Sequence, residues 1–125
     1  MFLNKRKVIF LISIFILVFI LTIDDIKSQE LKVVDGDTIH LNGEKIRFKG
    51  IDTPELKQIC IKDGSKNRCG EKEKQILINK IGDNRVECIR EGRDQYQRTL
   101  AECFVNDESL SSYLVKSGYA FAYRK

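Results

Sequence analysis

The sequence predicts a small α+β domain made mainly of strands: a five-stranded barrel, one helix between the third and fourth strands, and one helix after the fifth. Three observations predict it. Short stretches with β-branched or alternating residues recur between turn residues. An Asn42-Gly43 pair marks a tight hairpin, because both residue types tolerate positive φ. Two stretches, near 71–80 and after Ser109, change to the helical period.

Ahead of that domain, Lys5, Arg6 and Lys7 precede an uncharged 16-residue run, Val8 to Ile23, with Asp24 and Asp25 behind it. A positive flank followed by a short apolar stretch is how a secretory signal begins. The run falls short of the roughly 20 residues that comfortably span a bilayer. Ser28 offers a small residue for cleavage, with Ile26 in place of a second one. The readings are a signal peptide, an uncleaved membrane anchor or a buried core helix. The first two place the protein outside the cytoplasm: secreted, periplasmic or at the cell surface. Residues 1–28 are therefore set apart from a domain at 29–125.

In that domain, Leu31 to Val34 is a first short strand, punctuated by Asp35-Gly36-Asp37. Thr38 to Leu41 resumes as the second, and Ile46 to Ile51 returns as the third. Ile46, Phe48 and Gly50 share one face of it, Arg47 and Lys49 the other. Asp52-Thr53-Pro54-Glu55 ends the strand, since proline cannot continue a ladder. Glu71 to Lys80 reads as a helix with Ile76, Leu77 and Ile81 inward, closed at Gly82-Asp83-Asn84. Arg85 to Arg90 and Thr99 to Val105 alternate as strands, with turns at 91–94 and at 94–97. Ser109 opens a final helix that Gly118 closes. This order suits a small closed barrel of the OB type.

Charge limits the function classes. Residues 29–125 carry 18 bases and 16 acids, a formal charge of +2. Charge alone would then bind nucleic acid weakly, so affinity for phosphate has to come from a few placed arginines and a cation. No recognition helix or basic groove-reading stripe is present. The four cysteines fit export. Cys60 and Cys69 bracket a Lys/Gly/Ser/Asn-rich loop, and a turn near Gln95 and Tyr96 sets Cys88 opposite Cys103. Four cysteines allow three pairings, which the sequence alone does not decide; a turn centred there favours disulfides Cys60–Cys69 and Cys88–Cys103. The spacings lack the short knuckle of a zinc site.

Two acidic groups frame the first hairpin, Asp35 and Asp37 on one side, Asp52 and Glu55 on the other. Carboxylates gathered at one rim repel unless a cation sits among them, and oxygen donors suit calcium or magnesium. Turn chemistry is the plainer account of each motif by itself. Arg47 and Arg98 add two guanidinium groups able to hold a phosphate diester. Arg47 lies five residues from Asp52, an odd offset that on a regular strand points to opposite faces. Glu55 can orient or deprotonate a water. His40 is expected to be an exposed strand residue without a role.

Val34-Asp35-Gly36-Asp37-Thr38-Ile39, Ile46-Arg47-Phe48 and Ile51-Asp52-Thr53-Pro54-Glu55 together resemble the thermonuclease (staphylococcal nuclease-like) signature. Asp94-Gln95-Tyr96-Gln97-Arg98-Thr99-Leu100-Ala101 resembles a second family segment, with Gln97 where a glycine is usual. Gly118 to Tyr123 is a third, weaker match. The resemblance implies an OB barrel and calcium-assisted hydrolysis of DNA and RNA to products ending in 3′-phosphate. One Ca2+ would be held by Asp37, Asp52 and the Thr53 carbonyl, with Asp35 in support. Arg47 and Arg98 would bind phosphate, Glu55 would activate water, and Tyr96 and Tyr123 would contact the nucleotide. The chain stops at Lys125, short of a further helix that the resemblance implies. A monomer acting preferentially on single strands is expected. A nucleic-acid-binding module without catalysis and an inactive remnant are the alternatives.

Overall fold

A computed structural model describes residues 4–21 and 28–123, and the Asp24-Asp25 flank, Ile26 and Lys125 lie outside them. The first segment is helix α1 (Lys5–Leu21), none of whose residues is buried, so it takes no part in a core. Among the described residues no helix is long and apolar enough to cross a membrane.

The second segment is a mixed domain, mainly strands. Strands β1 (Leu31–Asp35), β2 (Thr38–Leu41) and β3 (Glu44–Phe48) form an antiparallel meander. Asn42 and Gly43 turn between β2 and β3 with φ of 50° and 82°, the doubly left-handed turn that their side chains permit. The third strand does not run to Ile51 as expected. Gly50, at φ 75°, breaks it, and β4 (Ile51–Asp52) leaves in a new direction. The stretch between Cys60 and Cys69 is likewise not a plain loop. It contains a hairpin, β5 (Cys60–Lys62) and β6 (Ser65–Asn67), turned by Asp63 and Gly64 at φ 51° and 78°.

Helix α2 (Cys69–Ile81) starts two residues earlier than the sequence indicated. Its buried stripe is Cys69, Gly70, Glu73, Leu77 and Ile81, and Ile76 is only half-buried. Strand β7 (Glu87–Arg93) runs through most of the expected turn at 91–94, with only a bulge between Arg90 and Gly92. The chain reverses after Asp94 into β8 (Thr99–Val105). Short β9 (Glu108–Ser109) leads to α3 (Leu110–Lys116), where Ser109 Oγ accepts the Ser112 N–H as an N-cap. Gly118, at φ 78°, follows the helix end, and β10 (Phe121–Ala122) pairs with β4.

The main sheet has six strands, in the order β1-β2-β3-β8-β7 with β9 added on β8, and β3 pairs with β8 in parallel. Strand β8 is central and alternates strictly, burying Thr99, Ala101, Cys103 and Val105. Ile39, Leu41, Ile46, Phe48, Ile51, Leu77, Ile81, Val86, Leu110, Leu114 and Ala120 join them in the core. His40, expected to be exposed, is half-buried on β2. Among the described residues no backbone ladder joins the edges β1 and β7. Gln29 ties them instead, its side-chain amide donating to the Val86 carbonyl at 2.7 Å and accepting the Val86 N–H at 2.8 Å. Disulfides Cys60–Cys69 and Cys88–Cys103 are both formed, the second between directly opposed residues of β7 and β8.

Candidate active site

Three chain breaks bring the site together. The β1–β2 corner presents Asp35 and Asp37, the Gly50 break presents Asp52, Thr53 and Glu55, and the β7–β8 turn presents Arg98. With Arg47 and Pro54 these residues line one small cleft of about 150 Å³. Asp35, Asp37, Arg47, Asp52, Thr53, Glu55 and Arg98, all singled out by the sequence, thus meet in one place. Tyr96 stands outside the cleft wall and is largely exposed, with the Arg98 guanidinium 5.5 Å from its ring centre. Tyr123 is also outside it, its N–H bonded to the Gly50 carbonyl at 2.9 Å.

The Gly50 break answers the parity objection. On an unbroken strand Arg47 and Asp52 would face opposite ways, but the turn at Lys49-Gly50 reorients β4. Arg47 Nη2 then reaches Asp52 Oδ1 at 3.2 Å and the Ile51 carbonyl at 3.3 Å. Arg47 Nη1 lies against Asp37 Oδ2 as an ion pair, without hydrogen-bond geometry. Burial pulls the Arg47 pKa down, but the Asp37 and Asp52 charges more than restore it, so the group stays a cation.

Asp37 is buried and well supplied with donors. Thr38 Oγ1 donates to its Oδ1 at 2.9 Å, and the Thr53 N–H approaches its Oδ2 at 3.4 Å. Asp35 Oδ1 accepts the Asp37 N–H at 3.2 Å. Burial, then the neighbouring Asp37 carboxyl, holds the Asp35 pKa above its ordinary value. Arg98 Nε donates to Asp94 Oδ2 at 2.7 Å, and Asp94 Oδ1 accepts the backbone N–H of Tyr96 and of Arg98. The turn therefore fixes the guanidinium by one edge. Gln97 sits in this turn at φ 63°, the left-handed conformation that a glycine adopts without strain. The Glu55 carboxylate has no hydrogen-bond or ion-pair partner among the described residues and is exposed.

Among the described residues no three His, Cys, Asp or Glu side chains are arranged so as to hold a metal ion. Arg47 fills the gap between Asp37 and Asp52 instead. The donor set nevertheless fits a hard cation, since carboxylate and carbonyl oxygens are the only candidate ligands. Burial is the larger cause of the raised Asp35 pKa, and the neighbouring Asp37 carboxyl adds to it.

One further residue of this region is absent from the sequence reading. Glu73 of α2 is buried, and its Oε2 has no hydrogen-bond partner. Burial, then the Asp37 charge, raises its pKa to about 7. Its place in the i, i+4, i+8 series with Leu77 and Ile81 was a signal that it faces inward.

The sequence model of one family, described as staphylococcal nuclease homologue, matches residues 45–125, a stretch with Arg47, Asp52, Glu55 and Arg98 but without Asp35 and Asp37. The chain is 34% identical over 94 residues to the succinoglycan biosynthesis protein ExoI of Rhizobium meliloti, covering 73% of this chain and 49% of that one. It is 32% identical over 100 residues to an uncharacterized endonuclease of Haemophilus influenzae, covering 76% and 51%. It is 33% identical over 97 residues to the thermonuclease of Staphylococcus intermedius, covering 73% and 56%. The chain thus spans about half the length of these curated relatives.

Proposed function

The chain belongs to the staphylococcal nuclease homologue family, and on that premise we propose that it is a calcium-dependent endonuclease. It hydrolyses DNA and RNA with little sequence specificity, preferring single strands, and leaves products ending in 3′-phosphate. The observation that carries this reading is the cleft itself: four carboxylates and two guanidinium groups from three separate chain segments line one space. A binding site for phosphate alone has no use for clustered acids, which repel it.

Asp37, Asp52 and the Thr53 carbonyl are the residues that would hold the ion, with Asp35 supporting Asp37 through its N–H. Calcium bound there supplies positive charge and Lewis acidity at the phosphate oxygens. Arg98, held at Nε by Asp94, keeps its terminal nitrogens for the phosphate. Arg47 binds the diester from the other wall. Both stabilise the charge that grows on the phosphoryl oxygens as water adds. The unpartnered Glu55 takes the proton of that water as the new P–O bond forms, and the bond to the 5′ oxygen breaks, that oxygen leaving as a hydroxyl with a proton from solvent. Tyr96 and Tyr123 contact the nucleotide, and stacking on them tolerates any base.

The strand order and the parallel β3–β8 pair support reading the sheet as an OB barrel. Export of a domain at 29–125, with residues 1–28 as a signal or anchor, is supported by the basic flank and by the disulfides, and the domain is taken to act as a monomer. The test of the main reading is cleavage of single-stranded DNA by the full chain in calcium, in magnesium and in a chelator. Cleavage in calcium that stops on chelation is the expected result. A folded protein that binds but does not cut in calcium would replace the enzyme by a binding module.

A further inference from the structure

Segment 56–68 holds the domain's excess positive charge. It carries Lys57, Lys62, Lys66 and Arg68 against one acid, Asp63, while the rest of residues 29–125 carries 14 bases and 15 acids. Every residue of the segment except Cys60 is exposed. Elsewhere Lys49, Lys80, Arg90 and Arg98 are each paired with an acid, while Lys32, Lys45, Lys72, Lys74, Arg85, Arg93 and Lys116 have no ion-pair partner among the described residues. Lys57, Lys62 and Lys66 have no ion-pair partner among the described residues. On the same hairpin Ile59 and Ile61 are 60% and 72% exposed, two apolar side chains set among the lysines.

This hairpin is fixed to the cleft rather than hung from it. The Gln58 N–H donates to the Glu55 carbonyl at 2.8 Å, and Gln58 Oε1 accepts the Glu55 N–H at 3.1 Å. The Cys60–Cys69 bridge ties its base to the first residue of α2. At Gly70 a Cβ would stand 1.9 Å from the Glu55 carbonyl oxygen, so the helix start and the Glu55 backbone are in contact. The residue that lines the cleft edge and the basic hairpin therefore keep one relative position.

We propose that the stapled hairpin is a docking arm for the nucleic-acid strand that continues past the cleft, its lysines meeting phosphates and its isoleucines meeting sugar and base faces. The proposal rests on the nuclease reading for the identity of its partner. A single strand suits it because an anionic, flexible chain with apolar base faces matches both features of the arm. An arm fixed to Glu55 lies beside whatever enters the cleft, which favours the substrate over a membrane surface.

Its test is binding of a fluorescent 20-nucleotide single-stranded DNA by the full chain in a chelator, between 50 and 200 mM salt. A triple variant, Lys57→Gln with Lys62→Gln and Lys66→Gln, is set beside a control with the same charge change, Lys32→Gln with Lys45→Gln and Lys116→Gln. Loss of three phosphate contacts flattens the log–log salt slope by about 2 and weakens binding up to about 100-fold at 0.1 M salt. The control is expected to keep most of its affinity. Equal loss in both variants, or an unchanged slope in the arm variant, would overturn the proposal. So would loss of binding to phosphatidylserine vesicles with DNA affinity intact. Failure of the nuclease reading shows elsewhere, as absence of cleavage when calcium is added, and leaves this binding comparison standing.

Discussion

Glu73 gives the sharpest prediction about the fold beneath the site. Its carboxyl titrates near 7 in the folded chain, because burial and then the Asp37 charge disfavour the anion. In the unfolded chain it titrates near its ordinary 4.5. Between those values the folded state binds more protons, so stability falls as pH rises through this window and levels off above it. The gap, at about 1.4 kcal/mol per pH unit, corresponds to about 3 kcal/mol. That is a large share of a total of about 5–15 kcal/mol. Glu73→Gln keeps the volume and removes the ionisation. An unpartnered buried amide costs about 1–3 kcal/mol at every pH, so the absolute sign is not the readout. The readout is the difference between variant and wild type, measured by urea unfolding in a chelator at pH 4.5, 6 and 8. It moves in favour of the variant by about 3 kcal/mol across that range. Asp35, raised in the same way, is present in both proteins and cancels. A difference that changes by less than about 1 kcal/mol, or in favour of wild type, would refute the reasoning.

Three other perturbations follow from the geometry. Gln97→Gly relieves a left-handed residue at φ 63°; offset by greater freedom of the unfolded chain, it stabilises by about 0.5–1 kcal/mol in denaturant unfolding. Replacing Cys88 and Cys103 together by serine opens a bridge of sequence separation 15, and a loss of about 3 kcal/mol is expected by the same method. Gly70→Ala drives a methyl group into the Glu55 carbonyl. Its expected effect on DNA cleavage is a fall in kcat larger than any rise in KM, because Glu55 is displaced while the arginines stay.

What was legible in the sequence is what local chemistry dictates. Asn42-Gly43 turned as its φ preferences require, Ser109 capped α3, and the alternation of Thr99 to Val105 survived as the central strand. The cysteine pairing followed from one turn position, since opposed residues on adjacent strands are in bridging range. That Asp35, Asp37, Arg47, Asp52, Thr53, Glu55 and Arg98 gather in one cleft was legible because they are polar side chains at or near strand ends. What was missed has a common cause. Asp63-Gly64 is the same kind of turn signal as Asn42-Gly43, but its flanks are too polar and short to read as strands without the Cys60–Cys69 staple. Gly50 continues the alternation of β3 in the sequence but ends the strand in the structure, and that break is what lets Arg47 reach Asp52. Glu73 was passed over because an acid on a helix is ordinarily solvated, and only tertiary packing buries this one.

The central claim, that this cleft hydrolyses phosphodiesters with Glu55 handling the proton of water, is tested most directly by one side-by-side rate. Wild type and Glu55→Gln, both as full chains in calcium, are given the same single-stranded DNA at saturation. A fall in kcat of about 100- to 10,000-fold with DNA affinity kept is expected. Equal rates would contradict it, and would move the chemistry away from Glu55.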